Sequence, residues 1–171
     1  MNLVSWNCRG LGTSSKVEAV KDLVIMALPY ILLLQETKIE AGNLLSISNQ
    51  IWKKNIGKAV SARGSSGGLA MLWSEDLFSL ENYFLAQHWI FTELRHSSSK
   101  LTFSLFNLYV PVTLQEKRDY WNSLAEFLAA RNPSNIIIAG DLNIMLAPKE
   151  KKGGNCGRDP MIREVERIIS S

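Results

Sequence analysis

Residues 30–36 read YILLLQE. Ile31 to Leu34 are apolar without alternation, and the run is of strand length, the pattern of a β-strand covered on both faces. Pro29 stands directly before it and closes whatever element precedes. Working backwards, Val17, Val20, Val24, Ala27 and Leu28 recur at helical spacing, and Ser14 or Ser15 is placed to cap that helix. Residues 2–7, NLVSWN, form a short β-type run, joined to the helix by the loop CRGLGTSS. Strand, helix and buried strand make a βαβ unit, so the two strands should be parallel and the crossover right-handed. The chain is therefore expected to be α/β.

Beyond residue 36 the pattern changes. A weaker helix is expected near Asn43–Trp52. KAVSA, LAMLW and the runs at 77–85, 88–96 and 101–109 then read as short strands of an antiparallel meander. GSSGG (64–68) reads as a flexible turn and SSS (97–99) as a hairpin closure. A helix is expected over Leu114–Ala130, burying Leu114, Trp121, Leu124, Phe127 and Leu128. RNPSN stops it before the strand IIIAGDLN (136–143). A polar, Gly-rich stretch, Lys149–Asp159, precedes a last short helix, Met161–Ile169. No internal repeat or low-complexity segment is present.

Composition narrows the function classes. With 46% hydrophobic and 20% charged residues in 171, the sequence reads as one soluble globular domain and not as a disordered chain. Nineteen Lys and Arg against 16 Asp and Glu give a net charge of +3, compatible with nucleic acid but explained as readily by a solvated surface. Cys8 and Cys156 are distant from one another and have no neighbouring histidine, which suggests neither a disulfide framework nor a zinc site. Met1 is followed directly by NLVSW with no basic leader, and the apolar run 23–34 contains Pro29 and falls short of the ~18 residues of a spanning helix. An intracellular protein, nuclear or cytoplasmic, with no membrane partner is expected.

Several apolar runs finish in polar residues: NLVSWN in Asn7, ILLLQE in Glu36, FSLFNLY in Tyr109, and IIIAGDLN in Asp141 and Asn143. Ligands of α/β sheets gather beyond the carboxyl ends of strands, so these endings have the placement of a site. Each has a plainer explanation: Asn7 as a turn former, Glu36 as a capping or surface carboxylate, Tyr109 as a half-buried ring before Pro111, Asp141 as an Asx turn after Gly140. Two features favour the site. Asp141 and Asn143, two apart in an extended chain, would project to one side. Glu36 follows a buried run, where an unpaired carboxylate is costly. Carboxylates and amides with no convergent His or Cys suit Mg²⁺ or Mn²⁺ better than zinc. Metal-assisted phosphoester hydrolysis is the reaction class this set suggests.

WNCRGLG (6–12), LLLQETK (32–38), SGGLAMLW (66–73), NLYVP (107–111) with Arg118 and Trp121 downstream, GDLN (140–143) and EKKGG (150–154) occur in that order. In these motifs the chain resembles the endonuclease/exonuclease/phosphatase superfamily, and specifically the apurinic-endonuclease-like domain of plant LINE-type retrotransposons. The resemblance implies a four-layer sandwich of two mixed β-sheets flanked by helices, acting on DNA as partner with Mg²⁺ or Mn²⁺. It implies that Asn7 and Glu36 serve the metal, that Tyr109 contacts the scissile phosphate, that Asp141 positions or activates water, and that Asn143 holds a phosphate oxygen.

The family completes its site with a C-terminal Asp-His pair and a further aspartate. Nothing after Asn143 matches them, and His88 and His96 fall in the central hairpin, where they read as sheet or surface residues. The expectation is a domain over 1–171 that is C-terminally incomplete, with endonuclease activity lost or strongly reduced. The alternative is a non-catalytic retrotransposon-derived remnant with weak nucleic-acid binding at most. Hydrolysis of a small phosphorylated substrate is disfavoured by the LINE-like wording of WNCRGLG and SGGLAMLW. Incomplete sheets would leave Phe91, Leu101, Phe103 and Leu105 poorly covered. The basic residues Lys149, Lys151, Lys152 and Arg158 could equally meet a nucleic-acid backbone or solvent.

Overall fold

The structure, a computed structural model, describes residues 2–64, 66–144 and 160–169. Two compact units are formed, one from Met1–Tyr109 with Ser134–Asp141 and one from Val110–Pro133 with Leu142–Ser171. The basic residues between Lys149 and Arg158, together with Cys156 and the rest of the stretch to Asp159, lie outside the described residues.

The first unit contains two mixed four-stranded sheets. Strand β1 (Leu3–Asn7), helix α1 (Ser14–Ala27) and strand β2 (Ile31–Gln35) make the expected βαβ unit. Its strands pair in parallel from Leu3 opposite Ile31 to Asn7 opposite Gln35. Thr13, not Ser14 or Ser15, is the N-cap: its backbone is extended, with φ −127°, and its carbonyl accepts from Lys16 and Val17 N–H. At the other end Leu28 closes the helix in a left-handed conformation, φ 46°, its N–H returning to the Val24 carbonyl. Helix α2 (Ala41–Ile51) follows. Both helices cover the outer face of this sheet. Val20, Val24, Leu44 and Ile51 pack with Leu32, Leu34, Ala59, Ala70 and Leu72.

The middle of the chain is not one meander. Strand β3 (Asn55–Arg63) and strand β4 (Ser66–Ser74) form a hairpin whose second strand pairs antiparallel with β2, giving the order β1-β2-β4-β3. The reason is burial: β4 carries LAMLW, apolar on both faces, and requires a central position. Strands β5 (Phe78–Ala86), β6 (Trp89–His96) and β7 (Thr102–Tyr109) do form an antiparallel meander, and β8 (Ile136–Asp141) adds to β7 in parallel. The second sheet is thus ordered β5-β6-β7-β8.

Between the sheets Ile31, Leu33, Leu69, Met71 and Trp73 meet Phe78, Ile90, Leu94, Phe103 and Leu105. Of the residues expected to be poorly covered, Phe91, Phe103 and Leu105 are 0–5% exposed and only Leu101 is open, at 57%. Strand alternation explains Phe91. It pairs with Phe106, one position off the register of Leu105, so it points away from the inter-sheet layer and meets the Phe106 ring at a tilt, with centroids 4.9 Å apart. Among the described residues no helix is long and apolar enough to cross a membrane.

In the second unit α3 (Leu114–Arg131) is N-capped by Thr113. Thr113 Oγ1 accepts from Glu116 N–H and donates to the Glu116 carboxylate at 2.5 Å. Tyr120, Trp121 and Leu124 are buried, as are Met161 and, in α4 (Ile162–Ile169), Val165 and Ile168. Leu114, expected inside, is 42% exposed; Lys117 is buried instead, its Nζ donating to the Asn143 carbonyl at 2.6 Å.

Gly140 is a point of close approach. Its φ is +137°, and a Cβ there would lie 2.1 Å from the Leu108 carbonyl oxygen of the paired strand. Gly140→Ala should therefore destabilise the protein by about 2–4 kcal/mol, read as a lower midpoint in urea unfolding. An unchanged midpoint would mean that β7 and β8 do not pair as described.

Candidate active site

Each sheet contains one parallel pair, and the two pairs end side by side. In the first sheet the last register pair is Asn7 with Gln35, and in the second it is Tyr109 with Asp141. Asn7 bridges them: its Nδ2 donates to Glu36 Oε1 at 2.8 Å and to Asp141 Oδ2 at 2.7 Å. Arg9 N–H, which can only donate, meets Asn7 Oδ1 at 3.1 Å and so fixes which way the amide faces. Four of the five residues expected from the sequence are thereby assembled, since the Tyr109 phenol donates to the Glu36 carboxylate.

Glu36 sits in a loop held from both sides. Its own φ is 52° and that of Lys38 is 57°. Gly10 N–H and Leu11 N–H donate to the carbonyls of Glu36 and Thr37, while Thr37 and Lys38 N–H donate to those of Gly68 and Gly67. Gly67 and Gly68, two of the three glycines of GSSGG, therefore belong to β4 and support the carboxylate, where a freely flexible turn was expected. Gly68 allows this approach, because a Cβ on it would fall 2.3 Å from Thr37 Oγ1.

The electrostatics follow from these contacts. Burial works against the Glu36 charge, but the bonds from Asn7 and Tyr109 and the nearby Lys38 ammonium outweigh it, so the carboxyl is held below its usual range. Lys38 Nζ lies 3.5 Å from Glu36 Oε2. Burial, followed by the charge and hydrogen bond of Glu36 and then the charge of Asp141, pushes Tyr109 up to about 12. At neutral pH the phenol keeps its proton and remains a donor. Cys8, beneath this loop, is buried and pushed up to about 11, which makes it inert as a nucleophile.

Asn143 behaves differently. Strand β8 ends at Asp141 and Asn143 has φ 47°, so the extended geometry that would place both side chains on one side stops short of it. It belongs to the second unit, where its Nδ2 donates to the Val110 carbonyl at 2.6 Å and its own carbonyl receives Lys117. His96 closes β6 with its ring edge-on to Phe78, and the His88 carbonyl accepts Tyr109 N–H at 2.8 Å, which leaves both histidines in sheet roles.

A layer that the sequence reading passed over lies one residue pair below the site. Gln35 Nε2 donates to Asn107 Oδ1 at 2.6 Å and to Ser5 Oγ at 3.1 Å. Asn107 Nδ2 donates to the carbonyls of Ala70 at 2.7 Å and Leu34 at 3.2 Å. The available signal was spacing: Ser5 and Asn107 each stand two residues before Asn7 and Tyr109, hence on the same strand faces.

The donors around Asn7 are all oxygens, which fits Mg²⁺ or Mn²⁺ and not zinc. Among the described residues no three His, Cys, Asp or Glu side chains cluster, and Glu36 and Asp141 are the carboxylates that Asn7 joins. Replacing the Glu36 charge should release Tyr109. In Glu36→Gln its ionisation should fall below about 12 while staying raised by burial, followed by tyrosinate absorbance. A raised folded value means that the native state retains a proton the unfolded chain has lost. Stability therefore declines as pH rises from ~10 to ~12, and Glu36→Gln should narrow that window. An unshifted Tyr109 titration would contradict the contact.

Residues 4–159 match the Endonuclease/Exonuclease/phosphatase family. The chain has no match among curated protein sequences. Solved structures share its fold at low identity. An AP endonuclease from Archaeoglobus fulgidus is 17% identical with a TM-score of 0.71, over 99% of this chain and 70% of its own. AP endonuclease LMAP from Leishmania major is 16% identical with a TM-score of 0.71, over 90% and 58%. A mannosyl-6-phosphatase from Bacteroides thetaiotaomicron is 13% identical with a TM-score of 0.67, over 84% and 66%. Under two thirds of the Leishmania and Bacteroides chains is thus spanned. With two mixed sheets, flanking helices and a family match over nearly its whole length, this chain belongs to the Endonuclease/Exonuclease/phosphatase family.

Proposed function

We propose that the chain is a domain of DNA-endonuclease type, whose site chemistry is phosphodiester hydrolysis with Mg²⁺ or Mn²⁺. The observation that carries this reading is the Asn7 amide spanning the Glu36 and Asp141 carboxylates from two different sheets, beside a phenol that stays protonated. Asn7 and Glu36 would hold the ion, with Asp141 beside them. When bound, the metal supplies positive charge to polarise a phosphoryl oxygen. Asp141, at the end of β8, would orient water and draw on its proton. Tyr109 donates toward charge that develops on a phosphoryl oxygen. The LINE-like wording of the motifs supports a plant retrotransposon origin and DNA as the partner.

Glu36, Asp141, Asn7 and Tyr109 include no histidine to serve as a general acid or base, and only two carboxylates to hold a cation. Lack of such a group commonly removes ~10² to 10⁴ in rate, and with none among the described residues of the cluster we propose an activity that is strongly reduced. The second reading, a non-catalytic remnant, rests on that same deficit.

Supercoiled plasmid incubated with the 171-residue chain and Mg²⁺ separates these readings. Slow nicking that disappears in Glu36→Gln is the expected result. Robust Glu36-dependent nicking would overturn the reduced activity, and nicking that is absent or indifferent to Glu36 would favour the remnant.

A further inference from the structure

We infer that Asn107, acting through Gln35, is a positioning residue that sets the distance between the Glu36 and Tyr109 ends of the two sheets. Both carboxamides are buried, Asn107 at 0% and Gln35 at 1% exposure. Both protons on Asn107 Nδ2 are used, one on the Leu34 carbonyl of β2 and one on the Ala70 carbonyl of β4, and its Oδ1 accepts from Gln35. Leu34 and Ala70 are register partners, so one side chain of the second sheet grips two adjacent strands of the first.

Position gives this grip its consequence. Gln35 precedes Glu36 directly, and Asn107 lies two residues before Tyr109 on the same face of β7. Deeper in the layer, the cluster that includes Leu33 and Leu105 is apolar and non-directional, and it tolerates sliding. A hydrogen-bonded carboxamide does not, because a shift of about an ångström takes a 2.6–2.7 Å bond toward the limit of useful geometry. Apolar residues of similar volume would fill the space with comparable stability, so stability alone does not call for two buried amides here. What an apolar pair would not supply is a fixed register between β2, β4 and β7, on which the Tyr109 to Glu36 bond and the Asn7 bridge depend.

The inference rests on reading Glu36 and Tyr109 as parts of one site, and its test does not use nicking. The side-chain amide protons of Asn7, observed by NMR, report the bridge between the sheets. In Asn107→Leu they should move toward the positions of a solvent-exposed carboxamide and exchange with water about tenfold faster, as hydrogen bonds to two carboxylates loosen. Leu105→Val, an apolar change in the same layer, should leave them in place at a similar loss of stability. Gln35→Met breaks the same grip from the other strand and supplies the readout if Asn107→Leu does not fold. Equal effects of the Leu105 and Asn107 changes, or none from either clamp variant, would overturn the inference. A wild-type chain that fails to nick DNA while its Asn7 protons respond to Asn107→Leu would defeat the proposed function and leave the positioning role standing.

Discussion

Two buried carboxamides, Gln35 and Asn107, join the sheets at the end where the charged residues gather. Apart from Thr92, whose hydroxyl meets Met71 Sδ, the cluster between the sheets is mostly apolar, and apolar packing specifies volume more strictly than register. The polar pair specifies register. Each amide is costly to bury, and the cost is offset only if every donor finds its acceptor, which happens at one relative placement of β2, β4 and β7. Once that placement is fixed, Asn7 and Asp141, at the ends of β1 and β8, come within hydrogen-bond reach of one another.

The two sheets contribute in the same way. Each has a parallel pair, β1 with β2 and β7 with β8, and a parallel pair brings two carboxyl ends to the same rim. The Asn7 amide then donates to both Glu36 and Asp141, and Tyr109 and Lys38 add to the stabilisation of the Glu36 charge. The cluster is costly for its members: a phenol displaced to about 12 and a carboxylate seated in a left-handed loop are not what surface solubility requires. Their concentration at one end of one layer is what gives the site its functional reading.

Much of this was legible in the residues. YILLLQE announced a strand buried on both faces, and Pro29 with the spacing of Val17, Val20 and Val24 announced the crossover helix, because those signals are local. The polar endings at Asn7, Glu36, Tyr109 and Asp141 marked four members of the cluster. Less legible was anything that depended on partner choice. β4 and β5 read alike as short strands, and only the burial of LAMLW on both faces sends β4 to the first sheet. Gly67 and Gly68 read as a turn because their role is to receive Thr37 and Lys38, about thirty residues away. Gln35 and Asn107 were passed over for a similar reason: a single amide in an apolar run has no meaning until its partner, 72 residues distant, is known. Asn143 misled in the opposite direction, since spacing of two predicts a common face only while the strand continues.

The most direct measurement is a double-mutant cycle on Gln35→Leu and Asn107→Leu, followed by urea unfolding. If the carboxamides act as one clamp, each single change leaves its partner's buried polar atoms unpaired and the double change removes both. The double variant should then be more stable than the sum of the single losses predicts, by about 1–3 kcal/mol. Additivity within about 0.5 kcal/mol would show two independent buried amides and would contradict the account.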